Sequence, residues 1–143
     1  MSKKSGKILE LIAGCQGRGR DAHYLGFFVC FNQGLYYEAH DVLEELWLPI
    51  RREPAGNFYK GLIQLAGAFV HLQKHRLQPA DALFRLAEAN LRGYAPVRDD
   101  LDLDEVLALI ATWRARLADG AWTRNPLLVE AAPRLALRGD GGT

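Results

Sequence analysis

Leu35-Tyr36-Tyr37-Glu38-Ala39-His40-Asp41-Val42-Leu43-Glu44-Glu45-Leu46-Trp47-Leu48-Pro49-Ile50 is the stretch whose reading decides the fold. Leu35, Ala39, Val42, Leu43, Leu46, Trp47 and Ile50 recur at helical spacing and make one broad apolar stripe. Asn32-Gln33-Gly34 stops a preceding helix in the usual glycine manner, and Pro49 and Pro54 bracket the far end. The stretch is therefore an amphipathic helix with a neighbour on each side.

Working outward, the helix before it begins near Ala22 and carries Tyr24, Phe27, Phe28 and Phe31 on one side. The helix after it runs between Gly56 and Arg76, with Phe58, Leu62, Leu65, Ala66, Phe69 and Leu72 as its core face, and is apolar over so much of its girth that it belongs at the centre. Gln78-Pro79 is read as a break, and Ala80 to Leu91 as the next helix, closed by Gly93. Asp102 and Glu105 have the spacing of a capping box, and Val106, Ile110, Trp113 and Leu117 mark the last helix, ended by Gly120. No strand-like alternation and no fixed-period repeat is visible. The expectation is an all-α chain, a compact antiparallel bundle of about four to five helices with an extended C-terminal tail.

The 143 residues suit one domain. Residues 1–21 are expected to be a mobile leader holding a short helix from Ile8 to Ala13, residues 22–119 the helical core, and residues 120–143 a tail whose Trp122, Leu127, Leu128, Leu135 and Leu137 could lie over the bundle. The 18 Lys plus Arg against 17 Asp plus Glu leave a net charge of +1, so nucleic acid is not an expected partner. The basic start, Lys3, Lys4, Lys7, Arg18 and Arg20, reads as a solvated leader. Two cysteines, Cys15 and Cys30, are too few for a disulfide framework and lack paired zinc-ligand spacing, which fits reduced thiols in a cytoplasm. The most apolar local run, Leu25 to Phe31, is interrupted by Gly26 and falls far short of the roughly 20 residues that span a bilayer, and no signal peptide is evident. A homodimer through a spare apolar face is compatible with the pattern.

Chemistry concentrates on the decisive helix. An advance of about 100° per residue places His40 and Glu44 together at the Trp47 edge of the apolar stripe, with Glu38, Asp41 and Glu45 on the other flank. On the following helix Gln64, Ala68, His71 and His75 form one stripe, beside Gly61 and Gly67, whose small size lets a neighbour approach. The expected cluster is thus His40, Glu44, Gln64 and His71, with Trp47 at its margin.

Two imidazoles and a carboxylate could hold a divalent metal, with His40, Glu44 and His71 as ligands and Glu38 or Glu45 as the base of a hydrolytic enzyme. The plainer reading is a buried polar network, in which Glu44 and Gln64 satisfy the two histidines, and it is preferred because no complete H-E-x-x-H or E-x-x-H pair is present. Glu38, Asp41 and Glu45 read as a solvated face, with Glu38 favoured in the first turn by the helix dipole, and His75 as a cap at a helix C-terminus. A third class, a protein-interaction or small-ligand module, would use Tyr36, Tyr37 and Tyr59.

The run from Phe31 to Trp47, with Lys60-Gly61-Leu62-Ile63-Gln64-Leu65-Ala66 and Val70-His71, resembles the signature of the domain of unknown function 309 family. The resemblance extends from about Phe28 to Leu91, and more loosely through the last helix and Pro133-Arg134-Leu135. It implies a compact all-alpha domain of bacterial and archaeal type with no assigned activity, substrate or cofactor. Glu38, His40, Glu44, Trp47, Gln64 and His71 match the family pattern as well as the spacing argument. His75-Arg76 stand where relatives tend to have Gly-Asn.

Overall fold

Gly34 takes a φ of +77°, a conformation that a side chain resists, and so ends one helix and starts the next where Asn32-Gln33-Gly34 predicts. The computed structural model describes residues 3–139, and the outermost parts of the expected leader and tail, residues 1–2 and 140–143, lie outside the described residues, as do the side chains of Lys3 and Lys4. Six α-helices occur among the described residues: α1 (Lys3–Ile12), α2 (Ala22–Asn32), α3 (Tyr36–Trp47), α4 (Gly56–Gln73), α5 (Leu77–Arg92) and α6 (Leu103–Asp119). The chain is all-α, as expected.

α4 is the central element, packed along both α3 and α5, and Phe58, Leu62, Leu65, Phe69 and Leu72 are all fully buried on it. Phe69 meets Phe31, Tyr36, Phe84 and Trp113, so four other elements share one aromatic centre. Asp81 is buried on α5 and neutralised by Arg114 of α6 at 2.8 Å, which ties those two helices together.

Four expectations need correction. The leader is helical from Lys3, and Ile8 and Ile12, four residues apart on α1, are buried with Cys15 in the same core as the other helices. It docks because Gly26 of α2 has no side chain: a Cβ there would stand 2.5 Å from Ile12 Cγ2. Pro79 does not break the chain but sits in the first turn of α5, where a missing N–H leaves no helical bond unmade. The break falls earlier, at His75, which adopts φ +57°.

A small antiparallel hairpin, β1 (Val97–Arg98) with β2 (Leu101–Asp102), escaped the sequence pattern because two-residue strands show no alternation. Its turn residues Asp99 and Asp100 both have positive φ, which Asp tolerates better than most residues. The tail divides. Leu135 and Leu137 are buried, Leu127 is partly so, and Trp122 and Leu128 are exposed. Asn125 anchors its start, donating from Nδ2 to the carbonyl of Leu72, in the last turn of α4, at 2.6 Å. Asp102 caps α6 by accepting from the Glu105 N–H, as its spacing predicts. Among the described residues no helix is long and apolar enough to cross a membrane.

Candidate functional site

A pocket of about 220 Å³ opens where α3, α4 and α5 meet, lined by Tyr37, His40, Ile63, Gln64, Gly67, Val70, His71 and Leu83. Helical spacing accounts for its walls. On α4, Ile63, Gln64, Val70 and His71 each stand three or four residues from Gly67, on the face turned away from Phe69. Gly67 keeps the α5 side narrow, since a Cβ there would lie 3.0 Å from Leu83 Cδ1.

The polar atoms of the pocket are held in different ways. His40 is oriented by its own helix, with Nδ1 3.1 Å from Asp41 Oδ1 and Nε2 4.0 Å from Glu44 Oε2. The amide of Gln64 is clamped from α5: Asn90 Nδ2 donates to Gln64 Oε1 at 2.6 Å, which leaves the Gln64 –NH₂ as the group still able to donate. His71 Nδ1 is buried with no hydrogen-bond partner among the described residues. Burial first, and then the cations Arg76 and Lys74, hold the His71 imidazole below its ordinary range, so it is neutral at physiological pH. Lys74 Nζ also stands 5.9 Å above the Tyr37 ring at the rim.

Residues 24–83 match the family model of the Domain of unknown function (DUF309). The matched segment runs from α2 into α5 and contains every residue that lines the pocket. Resemblance to this family is thereby shown, and the family's description assigns no activity. No curated protein and no solved structure matches the chain.

The residues singled out from the sequence separate into three places. His40, Gln64 and His71 come together in the pocket, whereas Glu44 touches His40 without lining it, and Trp47 packs against the core with its Nε1 buried and without a hydrogen-bond partner among the described residues. Glu45 lies at the seam of α2 and α3, where its Oε1 is 3.2 Å from His23 Nε2. Glu38, in the first turn of α3, faces Cys30 instead: burial first, and then the Glu38 charge, push that thiol up to about 11. Among the described residues no group of three His, Cys, Asp or Glu side chains is close enough to hold a metal ion, so His40, Glu44 and His71 do not converge as a ligand set. Nor is the cluster sealed, since the His40 and Glu44 side chains retain 33% and 27% of their exposure.

The three tyrosines disperse as well. Tyr36 is buried and stacked on Phe69, Tyr59 packs edge-on to Tyr24, and only Tyr37 reaches the pocket. Sequence reasoning missed His23, which stands between Asp21 Oδ1 and Glu45 Oε1, each 3.2 Å from a ring nitrogen. Asp21 also caps α2 by accepting from the His23 N–H at 2.7 Å. The cap alone was a readable signal; Glu45 is 22 residues away.

Proposed function

We propose that the chain is a binding module whose α3–α4–α5 pocket takes a small, uncharged molecule carrying a hydrogen-bond acceptor, with a flat apolar portion. The convergence of His40, Gln64 and His71 over the apolar surfaces of Ile63, Val70 and Leu83 carries this reading. A few polar groups on an apolar lining are the usual composition of a ligand site. The volume lies below the ~300–1,000 Å³ of sites for drug-sized molecules, which selects a fragment-sized ligand. The Gln64 –NH₂ supplies a donor that Asn90 has already oriented, neutral His71 supplies an imidazole that costs no charge desolvation, and Tyr37 offers a ring face at the mouth. We place this module in the cytoplasm of a prokaryote, where buried, unpaired Cys15 and Cys30 stay reduced.

Titration with benzamide, followed through the imidazole proton NMR signals, tests the reading. His40 and His71 are expected to shift saturably while His23 stays still. Val70→Phe, which fills the pocket with a larger apolar group, is expected to abolish the shifts at an unchanged fold. Absence of saturable shifts up to about 1 mM, the weak limit of useful affinity, or equal shifts in the filled variant, overturns it.

A further inference from the structure

A second and larger cavity, of about 680 Å³, lies between α2 and the C-terminal arm, and its lining includes Arg18, Leu25, Phe28, Val29, Arg134 and Ala136. We infer that it binds a free single-chain carboxylate of the fatty-acid type, whose hydrocarbon chain lies along α2 and whose head group pairs with the guanidiniums of Arg18 and Arg134.

The two walls are held by the fold itself. On α2, Leu25, Phe28, Val29 and Asn32 recur at three- and four-residue intervals, so they form one strip that runs along the helix for about 10 Å. The arm opposite has its main chain engaged on both edges. Asn32 accepts the Leu135 N–H at 2.7 Å and donates to the Leu135 carbonyl at 2.8 Å. On the other edge the Arg138 N–H donates to the Asp100 carbonyl at 2.7 Å, and Leu137 bridges to Leu101 of β2. What the cavity offers a ligand is therefore its side chains, on walls that need little ordering when the ligand enters. Its volume falls within the ~300–1,000 Å³ of sites that enclose a whole small molecule.

Those side chains select an anionic amphiphile. Leu25, Phe28 and Val29 give the cavity an apolar floor, and Val29 keeps 39% of its exposure, which a hydrocarbon chain would cover. No acidic residue among the described ones lines it. Two neighbouring arginines are neutralised, Arg20 by Asp100 at 2.7 Å and Arg138 by Asp102 at 3.5 Å. The two that line the cavity are not: Arg18 meets no carboxylate among the described residues, and Arg134 reaches only the Asn32 carbonyl at 3.4 Å. A guanidinium carries five N–H donors in a planar fork that matches a carboxylate, so both side chains retain the capacity to hold one. An elongated apolar strip beside uncompensated cations fits a flexible chain with one anionic end, and disfavours a cationic amphiphile by like-charge repulsion.

The test is a titration of the full chain with decanoate, followed through the methyl NMR signals of Val29. Saturable shifts are expected there, with the His40 and His71 imidazole signals unmoved, which separates this cavity from the pocket between α3, α4 and α5. Hexanoate, which withholds four methylenes from the strip, should bind at least about tenfold more weakly. Decyltrimethylammonium, with the charge reversed, and the Arg18→Gln/Arg134→Gln variant should each show a loss of similar size. A thermal melt matching the parent establishes that the variant is folded, and the ligand series on the parent chain decides without it. Absence of saturable Val29 shifts up to about 1 mM decanoate overturns the proposal. So does equal binding of the ammonium amphiphile, which marks non-specific partition, and equal binding of hexanoate, which marks an anion site alone. Capture of the chain by phosphatidylglycerol vesicles without binding of monomeric decanoate would assign the arginines to a membrane surface and overturn it too.

Discussion

The two faces of α4 differ in how completely their surroundings fill them. On one, Phe69 has the rings of Phe31, Tyr36, Phe84 and Trp113 at centroid distances of 5.5, 5.0, 5.3 and 5.0 Å, and no space remains. On the other, Gln64, Gly67 and His71 border an open pocket. Among the described residues, the Tyr36 hydroxyl on the sealed side and His71 Nδ1 on the open one are buried without a hydrogen-bond partner. The sealed hydroxyl can only cost stability, whereas the imidazole is next to a space that a ligand can occupy. A helix with an apolar girth can thus stabilise the fold with one side and keep a site on the other.

The largest effect that separates the faces is expected from Phe69→Ala. Removing a fully buried ring at the meeting point of four elements should destabilise by about 3–5 kcal/mol, measured by urea unfolding, and a cost near that of a surface substitution would break the contrast. Gly61→Ala comes next. Its Cβ would lie 2.7 Å from Leu91 Cγ and 3.2 Å from Asn90 Cβ on the tightly packed α4–α5 seam, so a loss of about 1–3 kcal/mol is expected. Gly67→Ala, on the pocket side of the same helix, meets only the flexible end of Leu83 and should gain helix propensity, for a net change within about 0.5 kcal/mol. Comparable losses at both glycines would show the pocket wall to be as rigid as the core.

Tyr36→Phe should be neutral or stabilising by less than about 1 kcal/mol, since it deletes a buried hydroxyl that makes no hydrogen bond while keeping the ring on Phe69. A clear loss in urea midpoint would reveal a partner for that hydroxyl.

The smallest effect concerns His71 and pH. Its folded-state pKa is lowered from the ordinary 6.5, so as pH falls below that value the unfolded chain takes up the proton first. Stability contributed by neutral His71 is present above the ordinary pKa and is lost as pH falls through the lowered one. The urea midpoint of the parent should therefore drop more between about pH 7.5 and about pH 5 than that of His71→Gln. Equal drops would mean that the open side leaves the imidazole as well solvated as in the unfolded chain.

Much of this contrast is written in local spacing. The buried residues of α3, α4 and α6 recur at the helical period, Gly34 and Asp102 act as the stop and the cap they resemble, and His40, Gln64 and His71 reach one pocket because two adjacent helices present them at matching positions. Glu44 shares the same edge of α3 and yet does not line the pocket. A stripe defines a direction from a helix axis, but not which residue of the stripe a neighbour covers.

The sequence by itself determined the all-α class, most helix limits and the placing of His40, Gln64 and His71 on facing stripes, because periodicity, caps and turn residues act within a few positions along the chain. The tertiary structure alone decided that α1 belongs to the core, through the bare backbone of Gly26, and that Glu45 serves His23 across the α2–α3 seam. It also decided that Asn32 clamps Leu135, 103 residues on, while Leu137 bridges to Leu101 of the hairpin. These contacts join residues far apart in sequence, and each depends on how rigid elements dock. Docking is set by the summed fit of many side chains, so no local pattern records it.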